Sequence, residues 1–231
     1  MADKAEWVES CLTEYYGGRP YNQDVYDKDL VGALVATILS QHTSDVNSGR
    51  AYASLKSAFP GGWDEVRQAR FEEIAAAIRH GGLADMKAPR IKNLLVEIHI
   101  RVGRTDLGHL RGMTDAEGMK YLTSFHGVGP KTAACVLMFN LGRPVIAVDT
   151  HVHRVALRLG LVAPKTSPSR TQDELLKLIG PAGAYSFHVH LIEHGRALCR
   201  AVGPRCAACP LTQRCNYFHE RRDTSGSASR R

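Results

Sequence analysis

The 231-residue sequence has no apolar run long enough to cross a bilayer. Its longest, Val31 to Leu39, falls far short of the roughly 20 residues that a membrane helix needs. No apolar signal core follows the polar start Met-Ala-Asp-Lys-Ala-Glu, so the chain is expected to stay in the compartment where it is made. Paired strand signals are also missing. Pro144-Val-Ile-Ala-Val148 is the one candidate, and a lone strand has no partner, so it reads as an extended linker. No repeat of fixed period is visible. Chain-wide disorder is excluded by a hydrophobic content of 44%, enough to bury a core.

What is present is helical periodicity. Trp7, Val8, Cys11, Leu12 and Tyr15 fall on one face of a first helix that Gly17-Gly18 ends. Leu30, Leu34, Val35, Ile38 and Leu39 mark a second, strongly apolar one. The same reasoning, with Gly and Pro as boundaries, predicts helices over 44–58, 64–80, 87–102, 114–124, 131–141, 150–160, 169–179 and 183–199. The fold class is therefore all-α. Residues 220–231, rich in Arg and Ser, read as a disordered tail.

Charge is unevenly placed on a chain whose net charge is +7. Residues 196–231 hold eight arginines against one Glu and one Asp, whereas the first thirty residues hold seven acids and three bases. A basic end points to a polyanion, most often nucleic acid; the alternative is a solvated tail.

Four of the six cysteines, Cys199, Cys206, Cys209 and Cys215, follow the pattern C-x6-C-x2-C-x5-C. Thiolates so close together need a cation to offset their charge. Structural zinc usually takes two C-x2-C knuckles held well apart. One compact loop with a single short spacing suits a larger object, a [4Fe–4S] cluster with one Cys per iron. Zinc stays open as an alternative. Arg200, Arg205 and Arg214 surround the loop.

The segment Leu122-Thr-Ser-Phe-His-Gly-Val-Gly-Pro-Lys-Thr-Ala133 carries a second signal. Gly127 and Gly129 allow positive φ and bare N–H groups around Val128, and Pro130 starts a new helix. The outcome is a concave set of donors suited to phosphate, a helix-hairpin-helix signature for gripping a DNA backbone. An ordinary glycine C-cap before a new helix is the plainer reading. Lys131 lies in the first turn of the new helix, where the dipole disfavours a cation. A nucleophilic amine, kept neutral by the dipole and partial desolvation, accounts for it; a phosphate contact is the simpler role. Asp149, eighteen residues on, precedes a helix and is an N-cap by default. It is also a carboxylate that could take a proton from Lys131 through water, although a close anion would favour the charged amine.

Together with Ile38-Leu-Ser-Gln41-His42-Thr-Ser-Asp45, Gly82-Leu83, Val148-Asp-Thr-His151 and His194-Gly195, these elements resemble endonuclease III, the bifunctional DNA glycosylase family of the helix-hairpin-helix superfamily. The resemblance runs from Leu30 to Tyr217. It implies a six-helix barrel over 24–135 and a cluster domain formed by 1–23 with 136–219, the active site in the cleft between them. It also implies Lys131 as nucleophile, Asp149 as essential carboxylate and the four cysteines as ligands of a [4Fe–4S] cluster. DNA contacts would come from Gln41, His42, Leu83, Gly127, Val128, Gly129, Lys131, Arg200 and Arg205, with His42 and Leu83 filling the gap left by a flipped base. Duplex DNA with damaged pyrimidines or abasic sites is the implied partner, bound by a cytoplasmic, nucleoid-associated monomer that needs no membrane. The expected activity is removal of oxidised pyrimidines followed by strand cleavage through a lysine Schiff base. Two departures bear on substrate range: family members often carry Gln where this chain has His42, and Ala84 replaces a larger residue.

A competing pattern is His190-Leu-Ile-Glu-His194, the H-x-x-E-H arrangement of some zinc peptidases. Histidines satisfied within the helix are the plainer expectation. A DNA-binding module without catalysis is the third reading, and a strand-cleavage assay separates it from the enzyme.

Overall fold

The computed structural model describes residues 1–26 and 28–221. Ten helices carry the fold: α1 (Ala2–Tyr16), α2 (Leu30–Ser40), α3 (Asp45–Ala58), α4 (Trp63–Gln68), α5 (Phe71–Ala77), α6 (Ala84–Val102), α7 (Asp115–Thr123), α8 (Pro130–Cys135), α9 (Thr150–Leu159) and α10 (Pro168–Ala197). No strand occurs among the described residues, and residues 142–149 run without helix, as the Pro144–Val148 reading required. No described helix is long and apolar enough to cross a membrane. Of the segment expected to be disordered, residues 220 and 221 instead complete a helical turn over 216–221, where the Arg221 guanidinium donates to Tyr217 Oη at 2.8 Å. Residues 222–231 lie outside the described residues.

The chain divides into two compact units, Gln23–Leu141 and the pair of segments Met1–Asn22 and Gly142–Arg231. In Gln23–Leu141, α2 packs against α3, α6 and α8. Its core includes Leu34, Leu39, Leu55, Ile91, Leu95 and Ile98, each fully or almost fully buried. Asp29 starts α2: Oδ1 accepts the Gly32 N–H at 2.9 Å, and Oδ2 accepts from Trp63 Nε1. Thr114 starts α7 through a capping box, its hydroxyl accepting the Glu117 N–H while the Glu117 carboxylate accepts the Thr114 N–H at 2.9 Å.

One expectation changes here. Residues 64–80 are not one helix, because the Glu73 carboxylate accepts the Arg70 N–H at 2.8 Å and restarts the chain as α5. A 3₁₀ turn, Arg79–Gly81, then follows. The helix after the hairpin begins as α8 and widens into a π turn over Val136–Asn140, so residue 135 falls inside a continuous helix.

In the second unit, α1 and α9 pack on α10 around Val8, Leu12, Val152, Val155, Phe187 and Leu191. Val152, Val155, Ala156 and Leu159 form the buried stripe of α9 at helical spacing. Gly180 (φ 69°) breaks α10 into the two segments that the sequence separates. At Gly195 the helices approach so closely that a Cβ would lie 2.9 Å from Cβ of His151.

Candidate functional site

The hairpin between α7 and α8 is built on a braced base. Arg101 of α6 donates to the Ser124 hydroxyl and, at 3.1 Å, to its carbonyl, and stacks 4.3 Å from the Phe125 ring centroid. Glu97, one turn earlier, accepts from both Arg101 and the His126 N–H. Neither residue was singled out by the sequence; the i,i+4 Glu–Arg spacing is the only signal, and it is common on solvated helices. Val128 is buried, and its N–H donates to Phe125 O at 3.1 Å, so this residue anchors the turn from inside.

Gly127 takes φ 80°, whereas Gly129 is extended at φ −86°, ψ 172°, so only the first glycine is needed for its backbone angles. Both face open space: a Cβ added at either would meet nothing within 4 Å. The N–H groups of Gly127, Gly129 and Lys131 find no acceptor among the described residues. The hairpin thus presents bare donors at the start of α8. The Lys131 side chain beside them is exposed, not partly desolvated, and its ammonium meets no partner among the described residues.

Two turns of the same unit hold exposed side chains in the left-handed region. His42 has φ 55° and Leu83 has φ 51°; with Lys165 they are the non-glycine residues of positive φ among the described residues. Such a conformation costs roughly 1–2 kcal/mol for an L-residue. Leu83 is 49% exposed, so no core packing explains its strain. Lys87 on α6 is 2% exposed, and its ammonium donates to Leu39 O at 2.7 Å and to Gly81 O at 2.9 Å. Burial lowers its pKa. One turn along, Arg90 donates to Gln41 Oε1 at 3.4 Å.

In the second unit Asp149 caps α9. Its Oδ1 accepts the N–H groups of His151 and Val152, both at 2.8 Å. Oδ2 has no partner among the described residues, so one oxygen of a half-buried carboxylate stays available.

Cys199, Cys206, Cys209 and Cys215 line one pocket, walled by Val155, Leu159, Leu198, Pro204, Tyr217 and Phe218. Among the described residues no three His, Cys, Asp or Glu side chains converge as they would on a single metal ion. Burial, reinforced by the neighbouring cysteines, pushes the Cys209 thiol up to about 11, and burial raises Cys215 as well. The loop's entrance is clamped by two arginines of α9 that the sequence left unread. Arg154 donates to Cys199 O at 3.0 Å and Gly195 O at 2.8 Å. Arg158 donates to Arg200 O at 2.7 Å, Ala201 O at 3.1 Å and Cys199 Sγ at 3.4 Å. The N–H groups of Arg200 and Arg205 both close on Leu198 O at 2.9 Å. The Arg205 side chain is exposed, that of Arg200 is half-buried, and Arg214 pairs with Asp3 at 2.7 Å.

The H-x-x-E-H pattern is not a metal site. His190 uses Nδ1 on Glu9 Oε2 (3.0 Å) and Nε2 on Gly17 O (2.9 Å). His194 meets Tyr16 Oη at 3.2 Å and Cys209 Sγ at 3.5 Å. Glu193 accepts from Arg19 at 2.9 Å. All three side chains are committed to joining α10 to the chain's first twenty residues and the cysteine loop. Burial pushes His194 down to about 4 and Tyr16 up to about 12, so both stay neutral at physiological pH.

Residues 35–181 match the model of the HhH-GPD superfamily base excision DNA repair protein family. An Arabidopsis thaliana protein named as a DNA glycosylase is 42% identical over 170 residues, which cover 74% of this chain and 58% of that relative. The chain thus spans less than two thirds of that protein's length. Endonuclease III of Thermotoga maritima is 31% identical over 217 residues, covering 93% of this chain and 94% of the relative. The solved structure of a trapped endonuclease III–DNA covalent intermediate shares 26% identity with a TM-score of 0.80, over 96% of this chain and 99% of that one.

Proposed function

This chain belongs to the HhH-GPD superfamily of base excision DNA repair proteins, and from that premise we propose that it is a DNA glycosylase of the endonuclease III type with AP lyase activity. Its substrate is duplex DNA bearing an oxidised pyrimidine or an abasic site, and it acts as a monomer. The observation that carries the reading is Lys131: an exposed, unpartnered amine in the first turn after a hairpin whose N–H groups stand open.

The damaged nucleotide leaves the stack, because its sugar cannot be attacked within it. The open N–H groups of Gly127 and Gly129 bind backbone phosphate, with Val128 holding the turn in shape. The neutral Nζ of Lys131 attacks C1′, and the glycosidic electron pair leaves with the base, which takes up a proton. Asp149 accepts the Lys131 proton through water and stabilises the positive charge that forms on the sugar; the cap occupies Oδ1 and leaves Oδ2 for that role. Opening of the sugar ring gives the Schiff base. Loss of a C2′ proton then expels the 3′ phosphate oxygen with its electron pair, cutting the strand. Water hydrolyses the imine and restores Lys131. Gln41, His42 and Leu83 fill the vacated space in the duplex, and Arg200 and Arg205 contact phosphate.

The cysteine set fits a [4Fe–4S] cluster: four soft sulfurs line one apolar-walled pocket without closing on a single point, and buried thiols need a cationic group to ionise. Cys199, Cys206, Cys209 and Cys215 would hold it, and a cluster held there would fix the loop.

The test is borohydride reduction during incubation with a duplex carrying one abasic site. The protein should cross-link to the DNA, and Lys131→Gln should abolish both the cross-link and strand cleavage. A cross-link that survives Lys131→Gln overturns the assignment.

A further inference from the structure

We infer that Lys87 is a positioning residue for the side chains that fill the gap left by a flipped base: its buried ammonium ties together the backbones of the two turns that present His42 and Leu83. The inference rests on the proposed function and extends it to a residue that touches no DNA.

Three observations carry it. First, Lys87 is almost fully buried, no carboxylate is hydrogen-bonded to it among the described residues, and both acceptors of its ammonium are main-chain carbonyls. Burying an ammonium is costly, so a merely structural position would be better filled by Met or Leu. Second, the two carbonyls belong to different segments. Leu39 O lies in the last turn of α2, two residues before Gln41 and three before His42, and its partial negative charge at a helix C-terminus suits a cation. Gly81 O closes the 3₁₀ turn that leads into Gly82 and Leu83. Third, each segment ends on an exposed residue forced into the left-handed region, a conformation that persists only where its surroundings fix it. Arg90, on the same face of α6, adds its contact to Gln41 and gives α6 a second hold on the first turn. No side chain bonds the 41–43 turn directly to the 82–83 turn among the described residues, so the ammonium is the polar link between them.

The proposal separates shape from contact. Without the link, each turn still exists, but the spacing between the two inserted side chains is no longer set. Discrimination for a duplex with a vacated position should then fall while grip on the phosphates, made elsewhere, persists.

The experiment uses the full chain and two duplexes, one carrying a stable abasic-site analogue and one undamaged, with 2-aminopurine beside the test position. Lys87→Met should lower affinity for the abasic duplex at least tenfold and change that for the undamaged duplex less than twofold. It should also reduce the 2-aminopurine fluorescence rise that reports unstacking. Lys87→Arg, which keeps charge and donors, should restore most of both. In a Leu83→Ala background Lys87→Met should cost little more, since both act on one insertion. Equal losses on the two duplexes, or full additivity with Leu83→Ala, would overturn the inference in favour of a structural role. Should Lys87→Met not fold, hydrogen exchange on the unmutated protein decides: amides of 41–44 and 82–85 should gain protection by the same factor on adding the abasic duplex, and independent responses would refute the link. A wild-type protein with no preference for the abasic duplex would instead refute the proposed function itself.

Discussion

His190 of α10 and Glu9 of α1 are joined by a bond of 3.0 Å from imidazole Nδ1 to carboxylate Oε2, while Nε2 of the same ring faces Gly17 O. Both neighbours are acceptors, so both ring nitrogens must donate, and the ring that does so is the imidazolium. Burial works against that charge, but the Glu9 hydrogen bond, the Gly17 carbonyl and the Glu9 charge together outweigh it and raise the pKa above its ordinary 6.5.

A pH dependence follows. A histidine whose folded pKa is raised stabilises fully below its unfolded value and loses that contribution as pH rises through the folded value. Wild-type protein should therefore be more stable than Glu9→Gln at pH 6, and the gap should narrow as pH climbs from 6.5. Thermal melts of the two proteins across pH 6 to pH 9 check this; a gap that widens with pH would refute the imidazolium.

The proposal gives Asp149 a second function separable from its cap. Asp149→Asn can still cap α9, whereas Asp149→Ala should cost about 1 kcal/mol of stability. Both should lose base release. Comparison of melting temperature with product formation distinguishes them, and normal turnover by Asp149→Asn would reduce the residue to a cap.

His42 offers a trade between stability and selectivity. Replacing an exposed left-handed residue by glycine relieves about 1 kcal/mol of backbone strain. His42→Gly should therefore raise the denaturation midpoint while weakening the preference for a duplex with a vacated position. A stabilised variant that discriminates as well as wild type would show that the strained turn serves another purpose.

The arginines should not contribute equally to salt dependence. Arg205 is exposed, so Arg205→Ala should flatten the log–log plot of affinity against salt by about one unit. Arg214 is paired with Asp3 and lies over the Trp7 ring, so Arg214→Ala should leave the slope nearly unchanged. Titrations at several salt concentrations with a fixed duplex measure both.

Purified protein should be yellow-brown, with broad absorbance near roughly 400 nm from thiolate-to-iron charge transfer. Arg158→Ala, which frees the carbonyls of residues 200 and 201 and the Cys199 sulfur, should bleach faster in air. Colourless protein with one zinc per chain would remove the cluster from the proposal.

The helices were legible where one signal dominates. The stripe of α9 and the apolar run of α2 announce themselves by spacing, and Gly17, Gly127 and Gly180 mark turns that need positive φ. The break inside 64–80 was not, because Arg70 is not a residue type that starts helices, and the restart depends on where the Glu73 carboxylate folds back. Of the candidate site, residues with chemical reactivity stand out in a sequence, whereas Lys87, Arg154 and Arg158 do not. A lysine or arginine on a helix normally points to water, and nothing in the letter shows that its acceptor is a carbonyl dozens of residues away. Gly129 shows the converse: its sequence position suggested positive φ, but its open surroundings account for the glycine instead.

The unit that contains α1 is assembled from two segments, with all of Gln23–Leu141 intervening. During synthesis α1 leaves the ribosome well before the α10 surface that covers Val8 and Leu12. Gln23–Leu141 has its own core and can fold while α1 waits, so α1 is the element left open to proteases and chaperones. A nascent chain stalled before residue 168 should be clipped within residues 2–16 while 23–141 resists.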